Sequence, residues 1–184
     1  MQRIRIDRRK LITFIVCISA CLIFILLDQL SKAYFVKLND EINLRVNYKK
    51  VLGDFFYFTF VYNPGSAYGM FANKPWAQTL FLILTPITLV FFILALIYAI
   101  KNKYFFLMVA LTLIISGAIG NYIDRITLGK VVDFLCVEIA DNRIFGVFNV
   151  ADTYLSIGMV MVIIHLLFID KNAVFGKSNG KQKN

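Results

Sequence analysis

Asp133 and Asp152 are the residues whose types and settings best suit hydrolysis of an amide bond. Asp133 stands in Val131-Val132-Asp133-Phe134-Leu135, with apolar side chains on both sides and no adjacent base. Such a carboxyl is expected to keep its proton to unusually high pH. Asp152 follows Phe148-Asn149-Val150-Ala151 and opens an apolar run, where the positive end of a helix dipole favours the ionised form. Taken alone, Asp152 is equally well read as a helix cap. If the two meet in space, one ionised carboxylate takes a proton from water while the other protonates the carbonyl oxygen. Their mutual repulsion keeps a single proton between them. A shared pair titrates as a unit, so the sequence does not say which Asp is the base.

Other chemistries fit less well. The single histidine, His165, lies deep in the last apolar run with no Ser or Cys partner beside it, which argues against a Ser-His-Asp arrangement. His165 and scattered acids also fall short of the three or four ligands of a zinc site. No metal or other cofactor is expected, and His165 reads as a polar residue packed among helices. Cys17 and Cys21 lie inside the first apolar run and read as small packing residues. The three cysteines are too few and too scattered for a disulfide framework, and no role follows for Cys136.

The elements that must position the two aspartates are set by a lipid solvent. Of 184 residues, 59% are hydrophobic, well above the roughly 45–50% of a soluble domain. Residues 11–27, 77–100, 104–119 and 153–169 are apolar runs near the ~17–25 residues that cross the hydrocarbon as a helix. The expectation is one integral membrane domain over residues 1–184, with four transmembrane helices and a disordered tail at 171–184. The basic segment Arg3, Arg5, Arg8, Arg9 and Lys10, the turn Lys101 to Lys103, and the basic tail should stay cytoplasmic. Eleven bases then face two acids on that side and nine face nine on the other, so the whole net charge of +9 is cytoplasmic. The bias is an orientation signal and calls for no nucleic-acid partner. Ile18-Ser19-Ala20-Cys21 resembles the end of a lipoprotein signal peptide, but the apolar run continues through Leu27, past the ~7–15 residues of a signal core. It reads as a retained first span.

Two outer loops follow from this topology, Asp28 to Trp76 and Gly120 to Asp152, and they collect the unusual polar residues. Ionisable groups beside lipid are costly and usually functional. Val51 to Tyr62 is dense in aromatic and β-branched residues and ends at Asn63-Pro64-Gly65, a turn signal; one or two strands are expected. The stretch is either a sheet in the headgroup layer that supports a site or a simple aromatic belt. Asp28 and Lys32 are four apart with the acid first, an order that favours an ion pair. That pair either fixes where the helix leaves the bilayer or serves the site. Ser116 and Gly120 have small-xxx-small spacing for close helix contact. If the third helix extends, Asn121, Asp124 and Arg125 share a face, and Asp124 can pair with a neighbouring cation.

At these residues the chain resembles the bacterial lipoprotein signal peptidases, signal peptidase II. The resemblance rests on Asp28-Gln29-Leu30-Ser31-Lys32, Asn63-Pro64-Gly65-Ser66-Ala67-Tyr68-Gly69, the stretch Gly117 to Arg125, Val131-Val132-Asp133-Phe134, and Phe148-Asn149-Val150-Ala151-Asp152. It implies an α-helical membrane protein of four transmembrane helices with a small extracytoplasmic β-rich cradle and a mobile periplasmic segment. It further implies an aspartic endopeptidase of the bacterial inner membrane that removes signal peptides from prolipoproteins, cutting before a diacylglyceryl-modified cysteine, with membrane lipids as its surroundings. The catalytic aspartates of that family fall on Asp133 and Asp152. Asp28, Lys32, Asn63, Gly65, Asn121, Asp124, Arg125, Asn149 and Ala151 fall on positions that line or brace the site. Ser116 stands where the family often has a further Gly, and Tyr68 where Phe is usual. Two other classes compete: a small ion transporter, whose carboxylates belong nearer mid-membrane, and a structural subunit, whose outer charges would be freely exchangeable.

Overall fold

The computed structural model describes residues 7–53, 55–65, 74–139, 142–143 and 146–169. The expected disordered tail, Arg3, Arg5 and the Ser66 to Gly69 part of the turn motif lie outside the described residues. The helices are α1 (Arg8–Ile42), α2 (Pro75–Asn102), α3 (Phe105–Leu128) and α4 (Val150–Ile164), the last continuing as a π-helix over His165–Ile169. Among the described residues, four helices are long and apolar enough to cross a membrane, as the apolar runs predict. The strands are β1 (Lys49–Leu52), β2 (Phe56–Asn63), β3 (Val131–Ile139) and the two-residue β4 (Asn142–Arg143), in sheet order β1-β2-β3-β4 with antiparallel pairing.

Three differences from the predicted elements matter for the site. First, α1 does not stop at Leu27 but runs on to Ile42, so Asp28 and Lys32 sit within the helix rather than at its end. The extension is held by Phe35, which stacks on Phe134 of β3 at 4.0 Å between ring centroids and contacts Phe58 of β2. Phe35, Leu44, Phe60, Val132 and Phe134 form one buried cluster where helix and sheet meet. Second, α3 continues past Ile119 to Leu128, where Gly129 closes it in the left-handed conformation at φ 70°. Third, Asp133 is on a nine-residue strand and not in a loop. Much of the predicted outer loop from Gly120 to Asp152 is therefore regular structure. The predicted strand or strands of Val51 to Tyr62 are β1 and β2, separated at Gly53, whose φ of 52° few other residues adopt at low cost.

The helix core is a second buried cluster that includes Cys17, Cys21, Leu96, Ala99, Leu111 and Ile115. His165 is 2% exposed, with its ring 5.2 Å from that of Tyr104. The tightest seam joins α3 to α4. A Cβ on Gly117 would collide with the carbonyl oxygen of Ala151 and lie 2.8 Å from Leu155 Cγ. On the opposite wall, a Cβ on Gly158 would lie 2.7 Å from both Ala110 O and Ile114 Cγ1. Backbone atoms cannot swing aside as a side chain can, so Gly158→Ala must push the helices apart. A loss of about 1–3 kcal/mol is expected, read as a lower midpoint of thermal unfolding in detergent. An unchanged midpoint would mean that the seam has room for a methyl group.

Candidate active site

The site is assembled where the second half of α1, the end of α3, the start of α4 and strands β2 and β3 converge. Side chains on a strand alternate between faces, and β3 uses that alternation. Val132 and Phe134 enter the cluster under α1, while Val131, Asp133 and Val137 line a cavity of about 550 Å³. Asp133 is 2% exposed. Asn63 of β2 pairs in register with Val131 and reaches diagonally to Asp133 Oδ2, donating from Nδ2 at 2.9 Å. Its Oδ1 accepts from the backbone N–H of Gly65 at 2.9 Å, which fixes the turn.

Before α4, Phe148 exchanges backbone hydrogen bonds with Leu135 of β3, at 2.9 and 2.8 Å, and so delivers Asn149 to the neighbourhood of Asp133. Asn149, not Asp152, is the N-cap of α4. Its Oδ1 accepts from the Asp152 N–H at 2.9 Å, while Asp152 Oδ2 accepts from the Asn149 N–H at 3.1 Å. This reciprocal capping box places Asp152 at the third helical position, still within the first turn where the dipole acts. The Asn149 side chain also donates to Asp133 Oδ1 at 2.7 Å. One fully buried residue therefore touches both carboxyls, with its side chain on Asp133 and its backbone on Asp152.

The fourth carboxyl oxygen, Asp152 Oδ1, accepts from Asn121 Nδ2 at 2.7 Å. Asn121 Oδ1 in turn accepts from Asn149 Nδ2 and from Lys32 Nζ, both at 3.0 Å. Each oxygen of Asp133 and Asp152 thus has an amide donor, and both side chains line the same cavity. Burial, followed by the charge of Asp152, pushes the Asp133 carboxyl up to about 7, the direction its apolar neighbours predict. Asp152 is close enough for its charge to act on Asp133, and neither makes an ion pair among the described residues.

Asp28, Lys32 and Asp124 form a separate layer behind this pair. Lys32 Nζ lies 2.8 Å from Asp28 Oδ2 and 3.0 Å from Asp124 Oδ2. Asp28 Oδ1 accepts from the Ala151 N–H at 2.9 Å, and Asp124 Oδ2 accepts from the Val132 N–H at 3.1 Å. The layer ties α1 and α3 to the residues that immediately precede Asp152 and Asp133 in the chain. Gly120 makes room for it, because a Cβ there would lie 2.5 Å from Asp28 Oδ2. Arg125 faces the cavity instead, donating to the carbonyls of Gly65 at 3.2 Å and Asn121 at 3.3 Å. Among the described residues, no group of three or more His, Cys, Asp or Glu side chains is arranged to hold a metal ion.

The model of the Peptidase_A8 family, described as signal peptidase (SPase) II, matches residues 20–168, which include every residue of this site. The chain belongs to the signal peptidase II family. As a member it is a peptidase, and its four spanning helices make it a multi-pass membrane protein. The lipoprotein signal peptidase of Streptococcus agalactiae serotype Ia is 39% identical over 160 residues, 86% of this chain and 93% of the relative. That of Syntrophus aciditrophicus is 37% identical over 167 residues, covering 87% and 95%. A bacterial membrane enzyme solved by the in meso method at 2.3 Å superposes with a TM-score of 0.69 at 32% identity, over 92% of this chain and 93% of that one.

Sequence reasoning passed over one residue of this peptidase's inner layer. Gln29 Nε2 donates at 3.1 to 3.2 Å to Asp28 Oδ2, Asp124 Oδ1 and the Gly120 carbonyl, joining α1 to α3. Its place beside Asp28 was visible, but no spacing rule assigns a partner 91 or 95 positions away.

Proposed function

We propose that this peptidase removes signal peptides from prolipoproteins, cutting before the diacylglyceryl-modified cysteine with Asp133 and Asp152 as a water-activating pair. The observation that carries the reading is the shared Asn149, whose side chain and backbone donate to the two carboxyls at 2.7 and 3.1 Å at one cavity. In the first step one carboxylate takes a proton from water, whose oxygen bonds to the scissile carbonyl carbon. The other carboxyl gives its proton to the carbonyl oxygen. Collapse of the tetrahedral species breaks the C–N bond and sends a proton to the leaving nitrogen. The chemistry needs only water and the two carboxyls.

The cavity suits a lipid-bearing peptide, because its polar end at Asp133 and Asp152 continues into apolar wall at Leu155 and Ile157 of a membrane-spanning helix. The basic residues Arg8, Arg9, Lys10, Lys101 and Lys103 lie on the opposite ends of the helices. That asymmetry supports cytoplasmic termini and a site at the outer face of the bacterial inner membrane. Depletion of the protein is expected to make lipidated prolipoprotein accumulate; normal processing after depletion would sink the substrate assignment.

The raised Asp133 carboxyl sets a pH dependence. The pair works with one proton, and that proton leaves the free enzyme as pH rises through about 7. A plot of kcat/KM against pH should therefore fall above about 7, approaching one decade per unit, since kcat/KM reports the free enzyme. A flat profile from pH 6 to 9 would remove Asp133 as the proton donor.

A further inference from the structure

Arg125 is the one cation among the described residues that line the cavity, close enough to Asp152 and Asp133 for their charges to act on it. A guanidinium has five N–H donors in a rigid fork. Here two reach backbone carbonyls, at the long distances of 3.2 and 3.3 Å, and among the described residues no carboxylate lies within ion-pair distance. An arginine side chain held by two long hydrogen bonds has many rotamers open to it. Something must keep it on the cavity wall.

What keeps it there comes from α2. Phe81 places its ring 4.7 Å from Arg125 Cζ, a cation–π seat. One turn earlier, Gln78 Nε2 donates to the Arg125 carbonyl at 2.8 Å, beside the capping N–H of Gly129 at 3.2 Å. Residues three apart share a helix face, so a single face of α2 grips both the backbone and the side chain of Arg125. The grip lies at the opposite end of α2 from Leu96 and Ala99, which anchor that helix in the core.

Gln78 is also a poor choice for packing alone. Its Oε1 is buried and accepts nothing among the described residues, a loss that leucine or methionine would avoid. A residue kept only to dock α2 would gain by becoming apolar.

We propose that Gln78 and Phe81 are positioning residues that hold the Arg125 guanidinium toward the substrate carbonyl in the cavity, where its free N–H donors stabilise developing negative charge. The assignment rests on this cavity being the site of cleavage, and it does not depend on which groups activate water.

The test is a double-mutant cycle on the full-length protein in detergent, using a lipidated prolipoprotein peptide. Gln78→Leu and Phe81→Leu are each expected to lower kcat about tenfold, with KM within about twofold, since small misplacements of a charge-stabilising donor act on the transition state. The thermal midpoint of Gln78→Leu should not fall. Phe81→Tyr keeps the aromatic face and should recover most of the rate. In an Arg125→Lys background, which loses the fork, Gln78→Leu should cost little more. The assignment is overturned if the two effects simply multiply, or if Gln78→Leu retains full kcat. Asp133→Asn, measured in parallel, separates the two ideas: full activity there would refute the aspartate pair, while the cycle would still report on Arg125.

Discussion

Asp133→Asn is expected to reduce cleavage of a lipidated prolipoprotein by about 10² to 10⁴-fold, with Asp152→Asn comparable, because in the proposed mechanism either change removes one of the two proton-transfer groups. Loss of a single general acid or base costs about 10² to 10⁴ in rate. In that proposed mechanism the pair acts as a unit, so the double variant should be little worse than either single one. The surroundings tolerate the amide sterically, since Asn has the shape of Asp. Its new NH₂ would, however, face an amide donor at Asn63 or Asn149. Normal-rate cleavage by either purified variant would falsify the assignment.

The same substitution carries a stability signature that a residue of purely structural value would not show. A carboxyl held at about 7 in the fold and near ~3.9 when unfolded binds more protons in the folded state between those values, so folding weakens as pH rises. The penalty is absent below about pH 4, grows by at most about 1.4 kcal/mol per unit, and is complete near pH 7, with an upper bound of about 4 kcal/mol. Asn does not titrate. The thermal midpoint of Asp133→Asn relative to the parent should therefore climb from pH 5 to pH 7 and level off above it. A constant difference across that range would mean that Asp133 is an ordinary carboxylate. Instability stored where chemistry occurs is the trade expected of an active site.

How much of this was legible in the sequence depended on whether the governing interaction was local. The Asp28–Lys32 ion pair follows from four-residue spacing, and the four spans follow from apolar length. The end of α1 does not, because the helix runs on past its apolar run by docking Phe35 on a strand that begins almost a hundred positions later. Strand β3 was masked by Asp133, since a carboxyl in the middle of Val131 to Leu135 breaks the pattern of a buried strand. The start of α4 was open to a better reading. Asn149 and Asp152 are three apart, the spacing of a capping box, and that reciprocal geometry assigns the cap to Asn149. Gln78 and Phe81 carry no pattern of their own, and their importance exists only through what Arg125 does beside them.

Lys32→Met is expected to be the most destabilising single change in the inner layer, at about 3–5 kcal/mol. Lys32 is 3% exposed, and its three N–H donors meet three acceptors: Asp28 at 2.8 Å, and Asp124 and Asn121 at 3.0 Å. Methionine fills similar space but leaves two buried carboxylates facing each other without a cation. The cost is then mostly the penalty of unpaired charge, not the worth of the pair. That distinction can be measured. Adding Asp28→Asn and Asp124→Asn to Lys32→Met neutralises the whole layer and should return most of the lost thermal midpoint in detergent. Activity should not return with it, because Asn121 would still lack the Lys32 donor that orients it toward Asp152. Stability recovered without activity would identify Lys32 as the residue that aligns the pair. A single Lys32→Met variant within about 1 kcal/mol of the parent would instead show that water already relieves the layer.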